Sequence, residues 1–137
     1  MRILFLTFYY EPDLSAGSFR SSSLVEELKK DQDIKIDIIT THPNRYPSFS
    51  VEAQDYESNN NISINRIRVP SHRNGLIDQV LAFIFYYFKS IKIAKKQHYD
   101  LVFATSSRLF TAFLASKIAR KKKSPLYIDV RDIFLDT

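Results

Sequence analysis

The sequence predicts an α/β fold, a doubly wound and mainly parallel sheet with helices on both faces. Three observations carry that expectation. Five short apolar runs recur along the 137 residues, and stretches of helical period stand between them. The composition, 45% apolar and 26% charged, is that of a folded globular chain and not of a disordered tail. One domain is expected, since a domain takes roughly 150 residues, and a chain of this size buries about two-thirds of its unfolded surface without staples.

Each element follows from local pattern. Ile3–Phe8 (ILFLTF) is an unbroken apolar run, as in a strand buried on both faces of a parallel sheet. Glu11 and Asp13 follow at once with no small-residue cleavage site, so the run reads as a mature strand, and a cytosolic protein is expected. Tyr9–Ser18 is a loop broken by Pro12 and Gly17. From Phe19 to Lys30 the period becomes helical, with Leu24, Val25 and Leu28 opposite Glu26, Glu27, Lys29 and Lys30. Ile34–Thr40 is a second strand, and Thr41–Ser50, with two prolines, a long loop. Val51–Asn61 is polar, ends in three asparagines and reads as a mobile excursion. Ile62–Val69 alternates as a third strand, stopped by Pro70, and residues 71–75 form a turn. Leu76–Gln97 reads as one long helix. Asp100–Ala104 is a short buried strand, Thr105–Arg108 a loop, and Leu109–Arg120 a helix ending in the basic run Arg120–Lys123 that a helix C-terminus favours. Pro125 breaks it, Leu126–Val130 is the fifth strand, and Arg131-Asp132 leads out.

Composition removes several chemistries. With no cysteine there are no disulfides, thiolate metal sites or thiol nucleophiles. Two glycines, where average usage would give roughly ten, argue against a glycine-rich phosphate cradle. His42, His72 and His98 do not sit at metal-ligand spacing, so no metal is expected. Charge is uneven: residues 1–68 carry 8 basic and 10 acidic side chains, residues 69–137 carry 12 and 5. The second half therefore either faces an anionic partner or is a solvated basic face. No nucleic-acid motif appears and the basic residues cluster at helix ends, so a nucleic-acid partner is not expected.

Ligands in such sheets bind beyond the C-terminal ends of the strands, which singles out the loops at 9–18, 41–50, 105–108 and 131–137. Gly17, where strand 1 feeds helix 1, permits close backbone approach, though Gly17-Ser18-Phe19-Arg20 matches no phosphate-binding motif and also suits an ordinary turn. Arg131-Asp132 suits either hydroxyl positioning and phosphate stabilisation or a structural ion pair, and Asp129 reads as a buried hydrogen-bonding group. Ser106 and Ser107 suit a sugar or phosphate, or a helix cap. The long helix carries aromatics over much of its circumference, followed by lysines. Phe85, Tyr86, Lys89, Lys92 and Lys96 would face an anionic membrane if it lies at an interface; core packing or a separate partner would account for the same pattern. Its nine-residue apolar run, Val80–Phe88, falls short of the roughly 20 residues that span a bilayer.

Four segments together resemble the N-terminal half of a family 4 glycosyltransferase of GT-B fold, of the kind that builds bacterial surface polysaccharide such as lipopolysaccharide or capsule. They are MRILFLTFYYEPDLSAGSFR at 1–20, THPNRYP at 41–47, YDLVFATSSRLFTAFLASKIAR at 99–120 and LYIDVRDIF at 126–134. Most telling are Tyr9-Tyr10-Glu11-Pro12 with Gly17, and Arg131-Asp132 after the fifth strand. The resemblance implies a Rossmann-like acceptor-binding domain, a separate donor-binding domain or subunit, and retaining, metal-free transfer from a nucleotide-sugar to a lipid-linked glycan acceptor at the cytosolic membrane face. It implies that Gly17 and Ser18 approach the donor diphosphate. Glu11, Arg20, Asn44, Tyr46 and Ser106 would line the acceptor side, and Arg131 and Asp132 would be catalytic. Arg45 stands where relatives commonly pass straight from Asn to Tyr, a departure that bears on acceptor choice. The family's donor domain, with its paired glutamates, is not in these residues, so this chain alone is expected to be inactive. A non-catalytic module docking a protein or an anionic membrane is the alternative.

Overall fold

A computed structural model describes residues 1–44, 51–70, 75–106 and 109–131. The elements are β1 (Arg2–Leu6), α1 (Ala16–Leu28), β2 (Lys35–Thr41), β3 (Tyr56–Asn59), β4 (Ile62–Ile67), α2 (Leu76–Ala94), β5 (Leu101–Thr105), α3 (Leu109–Lys122) and β6 (Leu126–Asp129). They build one six-stranded sheet in the order β3-β4-β2-β1-β5-β6, parallel except for the β3–β4 pair. This is a Rossmann-like sheet. The chain steps from β1 outward to β2 and β4, then returns to β5 and β6 on the other side, so the switch in strand order lies between β1 and β5.

The period of two explains both cores. Leu4 and Leu6 of β1 join Ile39, Val102 and Ala104 against α2 and α3, whereas Ile3 and Phe5 join Ile36, Ile38 and Phe103 against α1. Among the described residues α1 is the one helix on that second face. Beside it Phe103 and Tyr127 stack at 5.4 Å and line a groove of about 440 Å³ with Ile3, Leu24, Leu28 and Leu101.

Three expectations are corrected. The polar stretch 51–61 holds a strand: β3 pairs antiparallel with β4 through a tight turn at Asn60, which adopts left-handed backbone (φ 50°). Tyr-Glu-Ser-Asn has weak strand propensity, and it is the open edge of β4 that recruits it; the asparagine run was the turn signal. Helix α1 begins at Ala16, not Phe19, because the Ser15 hydroxyl accepts the Ser18 N–H (3.1 Å) and caps it. Tyr86 is fully buried, which removes it from any membrane contact. It lies on the stripe Ala82, Tyr86, Ser90, Ala94 that α2 turns to the sheet, and its hydroxyl reaches the carbonyl oxygens of Ile39 (2.9 Å) and Thr7 (3.2 Å). Four-residue spacing with two alanines lets the helix approach closely, and the phenol then spans to the backbone.

Candidate functional site

The β1–β5 switch point is the place where two neighbouring loops diverge and leave a crevice. Beyond β1 the chain is held tightly. Thr41 and Thr40 hydroxyls donate to the Phe8 carbonyl (2.7 and 3.2 Å), Thr7 Oγ1 donates to the Tyr9 carbonyl (3.0 Å), and Thr105 Oγ1 donates to Thr7 Oγ1 (3.1 Å) across the strands. Phe8, Tyr9 and Tyr10 are buried, which fixes where α1 can start.

The N-terminus of α1 meets the ends of β5 and β6. Ser106 N–H donates to the Asp129 carbonyl (3.0 Å), and Ser106 Oγ accepts the Arg131 N–H (2.9 Å). The Arg131 side chain then lies across α1. Its Nη2 donates to Ser21 Oγ (3.2 Å), its Nε is 3.4 Å from Asp129 Oδ2, and its Nη1 sits where a Cβ on Gly17 would come within 2.8 Å. Gly17 is therefore glycine because the guanidinium occupies its bare face. The other Asp129 oxygen accepts from Arg20 Nη2 (2.8 Å).

The electrostatics are unusual. The first turn of α1 has no acidic residue, so the positive end of the helix meets a guanidinium instead of a carboxylate. Two arginines share one carboxylate. Ser18, 1% exposed, has a buried hydroxyl with no hydrogen-bond partner. By the geometry of a helix start, Ala16 and Gly17 N–H lack intrahelical acceptors. A site with surplus donors and surplus positive charge is one that an anion completes.

The expected residues divide into groups. Gly17, Ser18, Arg20, Ser106 and Arg131 converge here. Asn44 and Glu11 belong to the flank beyond: Asn44 N–H donates to Asp13 Oδ2 (3.2 Å) and its amide to Thr41 Oγ1 (2.7 Å) and the His42 carbonyl (2.8 Å). Glu11 lines a groove of about 530 Å³ with Asp13, Phe19, Ser22 and Glu26. Burial, reinforced by Glu11 and Glu26, pushes the neighbouring Tyr10 phenol well above its ordinary range. Tyr46 and Asp132 lie outside the described residues. Phe85, Lys89 and Lys92 are exposed on α2 and Lys96 is exposed just past its end, none of them on the helix that carries Gly17.

Sequence reasoning missed Ser21, Asp13 and Arg66. Ser21 lies one turn along α1 from Gly17, on the face that receives Arg131, a spacing that was legible. The Arg66 guanidinium is almost wholly buried, donating from Nη1 to Glu57 Oε1 (2.6 Å) and the Gln54 carbonyl (3.2 Å), and from Nη2 to the Glu11 carbonyl (3.0 Å). It ties the β1–α1 loop to the β3 hairpin. That hairpin also brings Asp55 to His42 (2.6 Å) and Arg68 (3.0 Å), holding the Asp55 carboxyl below its usual range.

No family model matches the sequence, and neither does any curated protein. Among solved structures, the C-terminal domain of a hydrogenase from Pyrococcus furiosus superposes with a TM-score of 0.60 at 12% identity, over 93% of this chain and 89% of that one. A UGT transferase from Siraitia grosvenorii, solved in complex with UDP, superposes with a TM-score of 0.52 at 10% identity, over 93% of this chain. The present chain spans 27% of that transferase. At these identities the likeness is one of fold alone, a Rossmann-like α/β sheet that the transferase shares.

Proposed function

We propose that this chain is the acceptor-side half of a retaining GT-B glycosyltransferase, moving a sugar from a nucleotide-sugar to a lipid-linked glycan in surface-polysaccharide synthesis. The observation that supports it is the Arg131 guanidinium laid over Gly17 at the positive end of α1, at the strand switch point. In this reading the donor diphosphate, held mainly by a second domain or subunit, abuts Arg131 and the Gly17 N–H group beside Ser18, whose own N–H is held by the Ser15 hydroxyl. These donors stabilise the charge that builds on the leaving phosphate. The acceptor enters past Glu11, Arg20, Asn44 and Ser106, and its hydroxyl attacks the anomeric carbon on the face from which the nucleotide departs. The protein contributes positioning and fixed charge, without metal or bound cofactor.

The test is Arg131→Ala in this domain combined with its donor-binding counterpart. Turnover should fall at least tenfold, or about 1.4 kcal/mol of transition-state stabilisation, with the thermal midpoint little changed. Unaltered turnover would remove Arg131 from the reaction.

The second reading, a binding module without chemistry, draws on the pairing of Arg131 with Asp129 at rest. It requires that no nucleotide-sugar is consumed when the donor-binding counterpart is supplied.

A further inference from the structure

Helices α2 and α3 lie side by side and run the same way. Phe83 packs on Phe110 (4.8 Å between ring centres), Tyr87 on Phe113 (6.5 Å), Lys117 Nζ sits 5.4 Å over the Tyr87 ring, and Lys122 Nζ donates to the carbonyls of Lys95 and Gln97 (3.1 and 2.7 Å). Opposite the buried stripe of α2, the outward line runs Ile77, Leu81, Ile84 and Phe88, then Lys92 and Lys95. On α3, Leu109, Phe110 and Phe113 are exposed, at 80%, 56% and 61%, and Lys117, Arg120 and Lys121 follow. One half of this two-helix face is thus apolar and the other basic, and Asp78 is the one acidic residue within the two helices. Between the basic halves, Ile91, Ala94 and Ile118 floor a small hollow ringed by Lys95, Lys117, Lys121 and Lys122.

We infer that the α2–α3 face docks on an anionic lipid bilayer, its apolar half sunk into the interface and its lysines on the headgroups. Large apolar side chains beside a segregated basic zone are what interfacial burial combined with anionic lipid attraction selects. Among the described residues no helix is long and apolar enough to cross a membrane, so the contact is lateral. Since α2 follows β4 and α3 follows β5, both helices begin at the sheet edge that carries Gly17 and Arg131. Docking therefore leaves that edge open beside the membrane, with α1 on the far face of the sheet, whatever reaction occurs there. The inference rests on side chains that the site does not use and stands independently of it.

Flotation of the full chain with phosphatidylcholine vesicles, and with vesicles of equal parts phosphatidylcholine and phosphatidylglycerol, tests it. Binding to the mixed vesicles alone, declining as salt rises, is expected. Lys92→Glu combined with Lys117→Glu should weaken that binding at least roughly tenfold. Phe88→Ser combined with Phe113→Ser should also release the protein, with unchanged circular dichroism. Failure to float with either vesicle, equal binding to both, or a self-association that the Phe88 and Phe113 variants abolish would each overturn the inference. The last outcome would make the face a contact between copies.

Discussion

The two ends of the molecule's polarity scale sit on one fold, the Arg131 edge and the outer face of α2 and α3. At the edge, short polar side chains from the β1–α1 loop, α1, β5 and β6 converge within hydrogen-bond distance, and one missing Cβ decides the packing. On the outer face, large side chains from two adjacent helices stand partly in solvent, packed only on one another across the helix pair. The first arrangement needs contacts between residues about 110 positions apart; the second needs helical period and the pairing of two neighbouring helices. Specific chemistry is assembled by topology, whereas a general affinity for an apolar, anionic surface is written along a helix.

Substitutions on the two faces of α2 break that comparison most sharply. Tyr86→Ala should cost about 3–5 kcal/mol, from the cavity and the lost hydroxyl contact to the Ile39 and Thr7 carbonyls, whereas Phe85→Ser, one residue away and 46% exposed, should stay within about 0.5 kcal/mol. Urea denaturation of both variants checks this. Equal losses would mean that α2 packs on a different stripe.

Gly17→Ala sharpens the account of the edge. A methyl group there displaces the end of a flexible guanidinium, and alanine is the better helix former by about 1 kcal/mol. Stability should hold or rise slightly while anion binding drops several-fold. A loss of stability with binding intact would mean that the glycine serves the backbone and not Arg131.

A smaller effect comes from pH. Burial raises the phenols of Tyr10, Tyr86 and Tyr99 above their ordinary value of 10.0. A raised pKa in the folded state leaves stability whole below that value and erodes it as pH climbs above it. Phenolate absorbance should therefore show at least three of the eight tyrosines ionising late, together with unfolding. Three early ionisations would mean that these rings are wetter than the packing requires.

How much of this was legible varies with the physics of each part. The apolar runs at Ile3–Phe8 and Ile34–Thr40 declared buried parallel strands, and the loops at their C-terminal ends marked the edge where Gly17, Ser106 and Arg131 meet. The hairpin at Tyr56–Asn59 was hidden because its residues are poor strand formers recruited by the edge of β4. Tyr86 misled because composition gives an aromatic helix but not which stripe faces inward; the alanines at 82 and 94 held that information. Arg66 was unreadable, since its three partners come from segments brought together only by the fold.

The most direct test of an anion site at the Arg131 edge is a pyrophosphate titration of the chain followed by amide NMR. Saturable shifts at Gly17, Ser18 and Ser106, lost in Arg131→Ala but kept in Lys92→Glu, are the expected result. Shifts spread over the lysines of α2 and α3 and indifferent to Arg131 would contradict it.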